Sequence, residues 1–213
     1  MNKIYRIALI LTLMLAMLIG IVNVCLAGPI PSGFSVWDTR ITNDLNKSWT
    51  VKFSGLLATD TVRSNNIYIV DANNSPLPVT LSISSDNTTV SIKPVSPYTL
   101  GNEYWLYVTN GVYRGSGAQT VVPLSKPLVM PFIITQDAHI QSIGKVYNTL
   151  LTDISVTTDP TVHSVSVDGT NMLYQGKNTF KLGVASLANG AKIVLKAYDS
   201  SGNLLQTLDY TSE

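Results

Sequence analysis

The chain has 213 residues with 14 basic against 13 acidic side chains, a formal charge of +1. So balanced a charge gives no support to a nucleic-acid partner or an anionic membrane surface, and 13% charged residues is sparse for an exposed surface. A single cysteine, Cys25, excludes a disulfide framework within the chain, so stability must come from burial.

Residues 1–27 carry the grammar of a secretory signal. Lys3 and Arg6 supply the positive start, and an apolar run follows from Ile7 to about Val22. Cys25-Leu26-Ala27 puts small side chains where signal peptidase requires them, before the helix-stopping Gly28-Pro29-Ile30-Pro31. A retained membrane anchor is one alternative. A lipidated Cys25 is another, disfavoured because Val24 stands where that processing wants Gly, Ala or Ser. Cleavage removes two basic residues and leaves 12 against 13 acidic, a charge of −1, with no further membrane span expected.

The remainder reads as β-strands. Trp49 to Phe53 alternates apolar and polar residues, the period of a half-buried strand. Ile67–Val70, Val79–Ile83, Val90–Ile92, Tyr104–Val108 and Leu128–Thr135 follow, separated by turns such as Asp71 to Pro76 and Asp86-Asn87. No helical periodicity intervenes, which predicts a sandwich. Gln136 to His139 is the expected boundary. The pattern then restarts with strands at 140–147, 151–156, 162–167, 180–184, 193–198 and 204–210. Turns are expected at Asp159-Pro160, Asp168-Gly169, Gln175-Gly176, Asn189-Gly190 and Ser200 to Asn203. The fold class is therefore all-β, two tandem sandwich modules after a signal helix, over residues 28–136 and 140–213. The second unit is small for independent stability and is expected to pack on the first or on a neighbouring chain.

An ordered series of short motifs runs through the first unit. It comprises Trp49-Thr50-Val51-Lys52-Phe53-Ser54, Asn66-Ile67-Tyr68-Ile69, Thr89 to Pro94, Leu100 to Val108, and Gly111-Val112-Tyr113-Arg114-Gly115-Ser116-Gly117. In this order residues 37–135 resemble the SbsA-type bacterial Ig-like domain of S-layer proteins, with Arg114 in place of that family's usual Asp. The resemblance implies an Ig-like sandwich and a role at the cell surface. More loosely, Lys196 to Asn203 resembles the Asp-to-Asn turn of Ig-like surface repeats, extending the Ig-like expectation to 140–213. On alternation, Trp49, Val51 and Phe53 share the core face with Tyr104, Leu106 and Val108, while Trp105 and Tyr107 point away. Tyr104 is placed to bond back towards Gly101-Asn102 as in a tyrosine corner.

Chemistry-bearing residues are few. His139 and His163 lie apart, Gly115-Ser116-Gly117 lacks the pattern of a nucleophile elbow, and Glu103 and Glu213 are the only glutamates after residue 27. No catalytic, cofactor or metal site is expected, and so no enzyme. The reading would fall if His139, His163 or Glu103 shared a concave pocket with two aspartates within hydrogen-bond reach. Oxygen-rich loops at Asp71, Asn73, Ser75 and at Asp199, Ser201, Asn203 leave calcium open, although neither offers a bidentate acidic ligand and Asx residues suit turns anyway.

The expected function is a non-catalytic, exported module, secreted or at the cell surface, serving as structural spacer or adhesion element with a surface protein or wall glycan as partner. The alternative is glycan binding on an aromatic platform drawn from Trp37, Tyr98, Trp105, Tyr107 and Tyr113, against which stands their burial in the core. Exposed coplanar aromatics would favour glycan; exposed sheet edges or an apolar end patch would favour assembly.

Overall fold

The computed structural model describes residues 30–115, 122–185 and 187–212. The signal segment, Cys25, Ser116, Gly117 and Glu213 lie outside the described residues.

The architecture is all-β, as the period-two patterning implies. In the first unit the strands are β1 (Ser35–Val36), β2 (Thr39–Thr42), β3 (Trp49–Lys52), β4 (Ile67–Asp71), β5 (Pro76–Leu77), β6 (Val79–Ile83), β7 (Thr89–Pro94), β8 (Glu103–Val108), β9 (Tyr113–Arg114), β10 (Val122–Pro123) and β11 (Leu128–Ile134). In the second they are β12 (Ile140–Tyr147), β13 (Leu151–Thr158), β14 (Ser164–Val167), β15 (Thr170–Asn171), β16 (Leu173–Gly176), β17 (Thr179–Ala185), β18 (Lys192–Tyr198) and β19 (Leu204–Thr211).

Both units have immunoglobulin-like wiring. In the first, β3-β7-β6 forms a three-stranded sheet over β4, β8 and β11. In the second, β15-β14-β18-β19 faces β16-β17-β13-β12, matching the four-against-three pattern of a constant-type domain plus one short extra strand. One large sheet serves both: its order is β16-β17-β13-β12-β2-β11-β8-β4-β5, with β1 added beside β11. β2 is the join. It runs parallel to β11 (Ile133↔Ile41) and antiparallel to β12 (Ser142↔Arg40, Ile143↔Thr39).

Register decides which face each core occupies. Cross-strand partners share a face and neighbours along a strand alternate. Phe132, Met130 and Ile134 therefore lie on one face with Tyr104, Leu106 and Val108, and bury against Trp49, Val51 and Ile92. Ile133, Ile41 and Ile143 lie on the other, where they join Ile154, Val156, Phe180, Leu195 and Tyr210. The two small sheets thus pack on opposite faces of the shared sheet. A bulge at Gln141 lets both Ile140 and Ile143, three residues apart, reach the second core.

The junction is tied by buried polar groups. Gln206 in β19 accepts from the Ile140 N–H at 2.7 Å and donates to the Asp137 carbonyl at 2.7 Å. Thr39 Oγ1 lies 3.3 Å from Tyr210 Oη, and the Thr135 N–H donates to the Thr42 carbonyl.

Two expectations need correction. The turn assigned to Gln175-Gly176 is at Lys177-Asn178, both with positive φ; Gln175 and Gly176 belong to β16. Trp105 and Tyr107 do point away from the first core, but they are buried (3% and 1% exposed), because Ile30 and Phe34 lie over that face with Val70, Val129 and Tyr68. The Phe34 and Tyr107 rings meet edge-on at 5.5 Å.

Candidate functional site

Of the five aromatics, Trp105, Tyr107 and Tyr98 are buried, so no five-member platform exists. Tyr98 packs in the first core against Tyr104 and Phe132, and burial pushes its phenol pKa up. Trp37 (41% exposed) and Tyr113 (37%) remain accessible. Both border a cleft of about 380 Å³ between β3 and the β9–β10 hairpin, floored by Val51, Phe53 and Leu57. Arg114, which replaces the resemblance's Asp, lies across this cleft with its Cδ over Gly55 at a distance no Cβ could share.

A second, wider cleft of about 760 Å³ opens where the units meet. Its origin is topological. Because the small sheets pack on opposite faces, the Phe132–Arg40–Ser142 row runs out from under β3-β7-β6 and leaves Arg40 exposed in the middle of the ten-stranded sheet. Lys47, Trp49 and Trp37 border the cleft on the first unit's side; Asp137, His139 and Asp159 border it on the second's. Among the described residues no carboxylate pairs with Arg40 or Lys47; Lys47 Nζ stands 5.7 Å over the Trp49 ring.

His139 and two aspartates thus share a concave site, part of the constellation that would signal catalysis. His139 Nδ1 is 2.8 Å from Asp159 Oδ2. Thr161 Oγ1 lies 3.2 Å from the same Nδ1 and donates to Asp159 Oδ1, whose other donor is the Thr161 N–H. A nucleophile–histidine–carboxylate relay needs the carboxylate on one ring nitrogen and the nucleophile on the other. Here both partners crowd one nitrogen, and the arrangement fits a locked Asp159-Pro160-Thr161 turn. Desolvation raises the Asp159 pKa, but the Thr161 and His139 hydrogen bonds outweigh it and hold the carboxyl below its ordinary value. Asp137 acts through its carbonyl, which accepts from Gln206 and Thr135. His163 is exposed before β14, and Glu103 begins β8; neither joins the cluster.

The oxygen-rich loops share one device. Asp71 Oδ1 accepts the N–H groups of Asn73 and Ser75, and Asp199 Oδ1 those of Ser201 and Asn203, all at 2.8–2.9 Å. Asx-turn bonding of this kind accounts for the side chains present without a cation. Among the described residues no group of three His, Cys, Asp or Glu is placed to hold a metal, and no helix is long and apolar enough to cross a membrane.

The sequence model of the bacterial Ig-like domain family matches residues 38–128. No curated protein matches the chain. Among solved structures, the N-terminal part of the bacterial S-layer protein SbsC is similar at a TM-score of 0.35 and 14% identity, over 84% of this chain and 44% of that one. Domains 1–6 of SbsC give 0.36 and 12%, over 84% and 25%. A pullulanase from Anoxybacillus sp. LM18-11, complexed with maltotetraose, gives 0.27 and 12%, over 80% and 23%. The chain spans less than half the length of each.

Proposed function

We propose that this protein is an exported, non-catalytic Ig-like module that works as a spacer or interaction element at or outside a bacterial cell surface, secreted or surface-bound, with residues 1–27 removed as a signal. Residues 37–135 are read as the S-layer type of Ig-like domain, and 140–213 as a second, smaller one. The observation that carries the reading is β2: one strand hydrogen-bonded to both units makes a continuous ten-stranded sheet, so the pair forms a stiff element instead of beads on a linker. Stiffness is what a spacer requires, and the Ig-like family match at 38–128 agrees with it.

The test is cell fractionation with mass spectrometry of the N-terminus, followed by pull-down of the mature protein with wall fractions. A mature start at Gly28 and retention on a wall or surface fraction are expected. A cytoplasmic protein with Met1 intact, or release of reducing sugar from wall polysaccharide that His139→Ala abolishes, overturns the reading.

Glycan binding is kept as a second reading on one observation. Trp37 and Tyr113 are both exposed and face the same apolar cleft, offering rings that could stack on a sugar.

A further inference from the structure

A charged side chain set between two buried cross-strand partners is unusual, since charged residues are rarely placed within a buried row. Arg40 occupies that position in β2, paired through its backbone to Phe132 on one side and Ser142 on the other, yet it is exposed. It lies in the 760 Å³ cleft between the units, together with Lys47 and the exposed Trp37. That volume falls within the roughly 300–1,000 Å³ of small-molecule sites. An unpaired guanidinium presents a fork of donors that matches a carboxylate in bidentate fashion, and the Lys47 ammonium adds a second cation. The indole of Trp37 supplies an apolar ring face at the same cleft.

We infer that this cleft binds a carboxylate-bearing saccharide, a uronic-acid unit of an acidic polysaccharide, with Arg40 and Lys47 holding the carboxylate and Trp37 stacking on the pyranose. The inference rests on the glycan-binding reading and deepens it: Trp37, which borders both clefts, stays the stacking ring, while the sugar is placed at the junction and given a charge. The junction suits it because each unit supplies one side of the cleft and the shared sheet supplies its floor, so the site exists only while the units are joined. Asp137 and Asp159 on the opposite side limit the anionic ligand to the Arg40 side; Asp159 is already engaged by His139 and Thr161.

Calorimetric titration of the mature chain with trigalacturonate, a neutral trisaccharide and inorganic phosphate tests it. Trigalacturonate should bind, and more weakly as salt rises. Arg40→Gln and Trp37→Ala should each weaken it about tenfold or more. Leu150→Ala, 84% exposed in the turn between β12 and β13 and outside both clefts, should leave it unchanged. Arg40 is exposed, and Lys47→Gln, placed before β3, serves as the second charge variant should Arg40→Gln melt at lower temperature. Undiminished trigalacturonate affinity in both charge variants overturns the site. Equal binding of the neutral sugar overturns its charge selectivity and leaves the glycan reading standing. No binding of either sugar overturns both, and phosphate bound as tightly as trigalacturonate shows an anion site without sugar recognition, which also overturns the inference.

Discussion

Asn66 Nδ2 donates to the carbonyl of Gly111, forty-five residues later, at 3.0 Å, and to the carbonyl of Thr61 at 2.9 Å. Its Oδ1 accepts from the Thr109 hydroxyl at 3.3 Å. One amide thus ties the loop before β4 to the loop after β8. A Cβ at Gly111 would lie 2.2 Å from that Oδ1, so the glycine is required by the close approach of Asn66. These two residues open two of the motifs on which the Ig-like resemblance rests, and the structure gives both a physical reason.

Gly111→Ala is therefore expected to cost about 2 kcal/mol or more, because the added methyl displaces the amide and breaks its bonds. Asn66→Ala should cost a similar amount by leaving the Thr61 and Gly111 carbonyls without this donor. Denaturant unfolding of both variants and the double variant checks this. The effects should be strongly non-additive, since either change removes the same clamp.

Ile41 in β2 belongs by sequence to the first unit and by packing to the second core, beside Ile133 and Ile143. Ile41→Ala should destabilise by about 2–5 kcal/mol. Hydrogen exchange should show the loss in β12, β13 and β18 more than in β3, β6 and β7. Faster exchange confined to the first unit would contradict the shared-strand account.

Why β2 escaped sequence reasoning follows from its residues. Thr39-Arg40-Ile41-Thr42 holds a single apolar side chain, and its strand character comes from neighbours far along the chain. Trp49, Val51, Tyr104, Leu106 and Val108 were legible because alternation alone assigns their face. The tyrosine corner was also readable, though the donor to Tyr104 Oη is the Thr99 N–H at 2.9 Å instead of Gly101 or Asn102. Trp105 shows the limit: alternation gave its side of the sheet but not the segment covering it. The junction cleft was illegible for the same reason, being the product of two sheets packed on opposite faces.

Phe34→Ala should uncover that buried face. Loss of the ring over Tyr107 exposes the surroundings of Trp105, so acrylamide quenching of tryptophan fluorescence should rise while the first core stays intact. The expected stability loss is about 1–3 kcal/mol, below a full core truncation because Phe34 is only partly buried. Unchanged quenching would mean that Ile30 and the rest of the face suffice to cover Trp105.

Alkaline pH should unfold the first unit through Tyr98. An unfolded tyrosine ionises near pH 10. In the fold, burial holds the Tyr98 phenol well above that value, and burial raises Tyr68 as well. Above pH 10 the folded state therefore keeps protons that the unfolded state has lost, so stability is intact below about pH 10 and falls as pH rises further. Tyr98→Phe removes the larger part of this loss. It should cost little at neutral pH, because the Tyr98 hydroxyl has no hydrogen bond: the Trp49 indole N–H leans towards it without reaching bonding geometry. Urea midpoints at pH 7 and pH 11 decide the matter. The variant should match the parent within about 1 kcal/mol at pH 7 and exceed it at pH 11. A parent that loses no stability between the two pH values, or a variant that loses as much, would show that Tyr98 does not set the alkaline limit.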